Sequence, residues 1–232
     1  MTSTRLPGKV LLKANGTTVL EHHLNRLAWS NIPVYIATTT NQTDEPIASL
    51  AERLSKSLFR GDEHNVLERY HGCAVHFKLD VIIRVTSDCP LIDGNLVAEG
   101  VQHYMDLKDT NAYYSNALVR TFPRGLDFEV FSFELLERAY QQAKEKSDLE
   151  HVTPYIYQNK LKGVHVSHFT SAEDHSDLRW TLDTEDDWKL IKTLFEEFGA
   201  AALRYREILK IVERHPELKT INIHVKQKEI NP

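Results

Sequence analysis

Val81-Ile82-Ile83-Arg84-Val85-Thr86 runs directly into Ser87-Asp88-Cys89-Pro90. Branching at Cβ restricts χ1 and packs well on a pleated surface, so the first segment favours an extended backbone. Pro90 has no N–H to give to a ladder and ends regular pairing. The stretch predicts a central, buried strand of an open α/β sheet. Asp88 then stands at its C-terminal edge, where such sheets bind ligands; it reads equally well as a turn residue ahead of Pro90.

Upstream, helix-like and strand-like patterns alternate with short breaks, the layout of a largely parallel sheet covered by helices. Residues 18–28 predict a helix, with Thr18 and Glu21 at capping-box spacing and Leu20, Leu24 and Leu27 on one face. A buried strand over 34–38, a helix over 44–54, a short strand around 58–60 and a helix over 65–77 follow. Downstream, residues 96–105 predict a helix. Leu126-Asp127-Phe128-Glu129-Val130-Phe131 alternates apolar and acidic residues, the period of a strand with one polar face, and its pairing need not be parallel. Helices over 133–144, 150–158 and 185–198, strands over 164–169 and 180–182, a last helix to His215-Pro216 and an edge strand through Ile221, Ile223 and Val225 complete the pattern. No repeat, low-complexity tract or Gly/Ser linker divides the 232 residues, so a single domain spanning 1–232 is expected.

A hydrophobic share of 41% suffices for a sizeable core. The formal net charge of −5 argues against a general nucleic-acid binder, which needs a basic surface. Two cysteines without a C-x-x-C pair point to neither a disulfide framework nor a cysteine zinc site, and fit a reducing cytoplasm. No apolar run approaches the roughly 18 residues of a membrane span, and no apolar signal region opens the chain. A cytoplasmic protein with no membrane partner is expected.

Ser3-Thr4-Arg5-Leu6-Pro7-Gly8-Lys9 is a short basic loop. Pro7 fixes one backbone angle and Gly8 permits close approach of the main chain, so Arg5 and Lys9 can be aimed at one anion; by itself the loop reads more readily as a solvated surface turn, since Pro-Gly pairs usually only mark turns. Asp183 follows Trp180-Thr181-Leu182 and precedes Thr184 and Asp187, which makes helix capping its simplest role. If the fold brings Asp88 and Asp183 together, the pair is a hard oxygen site suited to Mg²⁺. Asp127 and Glu129, two apart on a strand, share a face that is either a ligand face or a solvent face. The 12 histidines are scattered: His22 and His23 diverge on a helix, and His165 and His168 point to opposite faces of a strand, so histidine metal binding is not expected. Nothing near Cys89 activates it as a nucleophile. G-x-x-x-x-G-K-[ST] and G-x-G-x-x-G are both absent, which disfavours a P-loop NTPase or an NAD enzyme.

Taken together, the blocks resemble the spore coat polysaccharide biosynthesis protein F family, sugar nucleotidyltransferases that use CTP. They are the opening loop, Phe59-Arg60-Gly61 with Val66-Leu67-Glu68-Arg69-Tyr70, Arg84 to Asp93, Arg120-Thr121-Phe122-Pro123-Arg124-Gly125 running on to Phe131, Glu150-His151-Val152-Thr153-Pro154-Tyr155-Ile156, and Thr181-Leu182-Asp183-Thr184-Glu185-Asp186-Asp187. Relatives that make CMP-activated nonulosonic acids and CMP-Kdo share the first, Asp88 and Asp183 blocks more loosely. The resemblance implies a nucleotide-diphosphosugar transferase (GT-A-like) α/β fold with a mixed, mostly parallel sheet flanked by helices. It implies catalytic roles for Arg5, Lys9, Asp88 and Asp183, with Mg²⁺ on the two aspartates. It places Ser3, Arg5, Leu6, Gly8, Lys9, Arg60 and Arg69 near the nucleotide, and Arg124, Asp127, Glu129 and His151 near the sugar.

The implied reaction transfers CMP from CTP to a sugar, with an acidic sugar as acceptor, in a homodimer serving surface or spore coat polysaccharide synthesis. A glycosyltransferase of the same fold and a non-catalytic nucleotide-binding partner are the alternatives. Asn65 departs from the family pattern, which has an acidic residue there. Such proteins also open with an apolar strand ahead of the loop, so the resemblance implies a missing first strand and an internal methionine at Met1.

Overall fold

The computed structural model describes residues 5–227. Lys13–Ala14 (β1) and Thr17–Thr18 (β2) form a hairpin about Asn15 and Gly16, both at positive φ, the backbone that a two-residue hairpin turn requires. The hairpin feeds Val19–Leu27 (α1). Thr18 accepts the Glu21 N–H as N-cap, and Leu20, Leu24 and Leu27 are buried as the periodicity predicts. The Glu21 carboxylate pairs with Arg53.

Tyr35–Thr39 (β3), Glu45–Arg53 (α2), Ser57–Gly61 (β4) and Val66–Phe77 (α3) form the next unit, in which β3 and β4 pair in parallel from Tyr35↔Ser57 to Thr39↔Gly61. Asn65 caps α3 by accepting the Glu68 N–H, as an Asn side chain does no less well than an acidic one. Val81–Arg84 (β5), Gly94–Leu107 (α4), Ala112–Ser115 (β6), Glu129–Ser132 (β7), Phe133–Gln142 (α5), Lys146–His151 (α6), Pro154–Tyr157 (α7), His165–His168 (β8), Glu185–Glu196 (α8), Tyr205–Arg214 (α9) and Glu217–Thr220 (α10) follow. The larger sheet has the order β5-β7-β6-β8, with β7 antiparallel to β5 and β6, and β8 parallel to β6. The fold is thus a mixed sheet flanked by helices.

Both faces of this sheet are covered, and the period of two along each strand sorts side chains between them. Ala112, Tyr114 and Val130 join Phe128, Trp180, Phe195 and Ile208 in a core beneath α4, α8 and α9. Ile82, Tyr113 and Phe131 join Leu67, Leu135 and Ile156 in a second core beneath α3, α5 and α7. The apolar–acidic alternation at 126–131 therefore does not mark a solvent face: every residue of β7 is buried.

Several expectations are corrected. Among the described residues β5 lies at one end of its sheet and pairs with β7 alone, in antiparallel register. Its free side and β3 face each other across a cavity of about 330 Å³, lined by Val34, Ile36, Ile83 and Val85 among others. For that reason Tyr35, Ile36 and Ala37 are only half-buried. Among the described residues the buried Nε atoms of Arg69 and Arg84 have no hydrogen-bond partner. The helix over 150–158 is two short ones. Pro154 has no N–H to continue α6, and Val152 turns the chain at φ 73° before Pro154 opens α7. Residues 180–182 are extended without joining a ladder, because Trp180 N–H bonds Arg124 O and Leu182 N–H bonds Asp88 O, two separate segments. Ile221 and Ile223 lie in a turn after α10, with no edge strand. The sequence pattern does not predict β6.

Candidate active site

The site begins where β5 ends. Leu182 N–H donates to Asp88 O at 2.7 Å and the Thr181 hydroxyl to the same oxygen at 3.2 Å, which lays segment 181–183 beside the post-β5 turn. Just beyond, Thr184 and Asp187 close a reciprocal capping box at the start of α8. Capping therefore falls to Thr184 and Asp187, and the Asp183 carboxylate is left to face Asp88.

The opening loop supplies the cations. Gly8, at φ 66°, adopts the left-handed backbone that favours glycine and starts the short turn holding Lys9. Leu6 is buried against Val19 and Leu182, which anchors the loop to the Asp183 segment. Lys9 Nζ donates to Asp88 Oδ2 at 2.9 Å and to Asp183 Oδ1 at 2.8 Å. Arg5 Nη2 lies 3.1 Å from Asp183 Oδ2. Ser3 lies outside the described residues.

Arg179, which the sequence reading missed, completes the cluster. Its Nη2 donates to Asp183 Oδ2 at 2.9 Å, and its Nε to Asp187 Oδ1 at 2.8 Å. Asp187 is fully buried and also accepts the N–H groups of Asp183 and Thr184 and the Asn222 amide. The one hint in sequence was a cation four residues before Asp183 on an extended segment. Burial works against the Asp183 carboxylate, but Lys9, Arg5 and Arg179 hold its pKa below the ordinary carboxylate value. Burial likewise opposes the Lys9 ammonium, and the two aspartates together hold its pKa above the ordinary lysine value.

One oxygen from each aspartate thus converges on a single cation. Hard carboxylate oxygens so placed could hold a divalent magnesium ion, which keeps several waters and takes only one or two carboxylates from the protein. Among the described residues no group of three or more His, Cys, Asp or Glu side chains forms a metal cage. Cys89 is buried, and burial pushes its thiol well above the ordinary value, so it is no nucleophile.

The remaining predicted residues divide. Asp127 forms a two-pronged ion pair with Arg120. Arg124 is near both, and its backbone bonds Leu178 and Trp180 on the way to Asp183. Burial first, then the charges of Arg120 and Arg179, press the Arg124 pKa below the ordinary arginine value. Glu129 has other partners. It is buried, and its carboxylate accepts Arg84, Tyr113 at 2.5 Å and Thr153 at 2.6 Å, joining β5, β6, β7 and α7. His151 ends α6. Arg60 is tied to Thr39 O, Asn41 O and Glu45 at the end of β3, and Arg69 to Asp62 O.

Comparisons with known proteins show the family. A family model described as cytidylyltransferase matches residues 1–230. The chain is 37% identical over 232 residues to an uncharacterised protein of Methanocaldococcus jannaschii, covering 97% of this chain and 92% of that protein. It is 30% identical over 231 residues to the spore coat polysaccharide biosynthesis protein SpsF of Bacillus subtilis, covering 95% and 93%. A solved cytidylyltransferase from Leptospira borgpetersenii superposes with a TM-score of 0.88 at 29% identity, covering 99% of this chain and 95% of that one. Among the described residues no helix is long and apolar enough to cross a membrane.

Proposed function

Because the chain belongs to the cytidylyltransferase family, whose members are nucleotidyltransferase enzymes, we propose that it transfers CMP from CTP to an acidic sugar and releases pyrophosphate. A sugar hydroxyl oxygen attacks the α-phosphorus and gives up its proton to solvent. The bond from that phosphorus to the β-bridging oxygen breaks, and pyrophosphate leaves with the electron pair. In such transfers the protein contributes chiefly positioning and charge stabilisation.

The observation that carries the reading is the convergence of Asp88 and Asp183 beside the cations of the Arg5–Lys9 loop. Asp88 and Asp183 would hold Mg²⁺, which neutralises charge on the triphosphate oxygens. Arg5 and Lys9 bind the phosphates and stabilise the departing pyrophosphate. Arg179 keeps Asp183 ionised and oriented through its hydrogen bond. Arg124 lies beside the charges of Arg120 and Arg179, and the nearby Asp127 carboxylate is already paired with Arg120, an environment that favours a sugar carboxylate. The similarity to a spore coat polysaccharide protein supports a product destined for a surface polysaccharide.

The test is pyrophosphate release by the purified protein with CTP, Mg²⁺ and a panel of nonulosonic acids and sugar phosphates. Release is expected with at least one acidic sugar and is lost in Asp88→Ala. No release across the panel from folded protein overturns the reading.

A further inference from the structure

Each aspartate of the carboxylate pair offers one oxygen to the shared position, and a covalently attached cation already fills it. Asp183 Oδ2 is taken by Arg5 and Arg179. Asp88 Oδ1 faces the Cys89 thiol at 3.7 Å, and the two oxygens turned toward each other, Asp183 Oδ1 and Asp88 Oδ2, both accept from Lys9 Nζ, at 2.8 and 2.9 Å. A magnesium ion bound by the same two oxygens sits about 2.0–2.1 Å from each, inside the space the ammonium occupies. The two cations exclude each other by volume and by charge.

We infer that Lys9 is an internal counter-ion that closes the carboxylate pair to divalent metal until a triphosphate draws its ammonium away, so that metal and nucleotide bind as one. This rests on the functional reading above and adds an order of events to it. Lysine suits this role because its charge is a point at the end of four flexible methylenes, free to exchange one anion for another. Arg5, the other loop cation, is the more exposed of the two, with 38% of its side chain open against 16% for Lys9, so it is the group a triphosphate meets first. A triphosphate gives Lys9 new anionic partners as its two carboxylates take up the metal. The protein without nucleotide keeps its carboxylates neutralised and holds metal weakly.

Manganese titration of the full chain, followed by electron paramagnetic resonance without nucleotide, tests this directly. Lys9→Met is expected to bind Mn²⁺ at least ten times more tightly than the unsubstituted protein. Adding Asp88→Asn to Lys9→Met is expected to abolish the gain. In the unsubstituted protein a non-hydrolysable CTP analogue raises proton relaxation enhancement above that of the Mn²⁺–analogue complex alone. If Lys9→Met is too unstable to titrate, its melting temperature provides the second readout, rising more with Mn²⁺ than that of the unsubstituted protein. Equal Mn²⁺ affinity, or equal melting gains, in the two proteins overturns the inference. If that happens while the unsubstituted protein still releases pyrophosphate from CTP, only the role given to Lys9 falls. If Mn²⁺ binds neither protein and no pyrophosphate appears, the functional reading falls with it.

Discussion

Oδ1 of Asp183 accepts a hydrogen bond from the Lys9 ammonium at 2.8 Å, although 174 positions separate the two residues. The contact closes the first residues of the described chain onto the N-terminus of α8 and brings Asp88 in from the end of β5. Loop, sheet edge and helix start therefore behave as one electrostatic unit.

That unit sets a pH dependence of stability. The Lys9 pKa is raised in the folded state, so its contribution is fully present below the ordinary lysine value of about 10.4 and is lost as pH climbs through the higher folded value. The Asp183 pKa is depressed, so its contribution is fully present above about 3.9 and is lost as pH falls through the lower folded value. Melting temperature measured against pH should show this pair contributing steadily through neutral pH and declining at both extremes. Lys9→Met should flatten the alkaline decline, and Asp183→Asn the acid one. Unchanged slopes in both variants would contradict the linkage.

Glu129→Gln should act on stability. The carboxylate neutralises Arg84, a half-buried guanidinium at the end of β5 that lies over the ring of Tyr70. Removing one partner of a buried pair typically costs about 3–5 kcal/mol, which for a chain of this size lowers the melting temperature by about 6–20 °C. Thermal denaturation checks it. A normal melting temperature with a raised KM for the sugar would restore Glu129 to the substrate face.

Gly125→Ala should also destabilise, through the backbone. Gly125 sits at φ 107°, and a Cβ there would meet the main chain of Trp180 at 2.6 Å. The strained backbone costs about 1–3 kcal/mol, and the clash pushes away the segment that leads to Asp183. Melting temperature and activity should fall together. Retention of both would show that segment 179–183 yields freely.

Arg124→Gln separates the two substrates. Loss of a charge-assisted hydrogen bond worth about 1.5–3 kcal/mol should raise KM for the acidic sugar roughly 10- to 150-fold, with KM for CTP little changed. Steady-state kinetics with each substrate varied in turn decides it. A matched rise in both would move Arg124 to the nucleotide.

Much of this is legible in the amino-acid sequence. The leucine face of α1, the Thr18 cap and the position of Asp88 after β5 follow from local rules that tertiary structure does not override. β6 escapes because both its faces are buried: Tyr113 packs in one core and Tyr114 in the other, so no polar alternation marks it. The same burial turns Glu129 from an apparent surface acid into a strut. Arg179 is hard to single out in sequence, where only its spacing from Asp183 hints at it, because its value lies in partners that the fold assembles, Asp183, Asp187 and Gln227. Antiparallel pairing of β5 is hidden too, since a buried apolar strand reads alike in either direction.

The central claim is that the Asp88–Asp183 pair works on the α-phosphate of CTP. The most direct measurement follows CTP labelled at that phosphate, incubated with Mg²⁺ and the acidic-sugar panel, and resolves the products. Label is expected in a CMP-sugar, whose one phosphate joins cytidine to the sugar, with an equal amount of pyrophosphate, and neither product should form with Asp88→Ala. Label that stays in CTP with every acceptor, or transfer that survives Asp88→Ala undiminished, would contradict it.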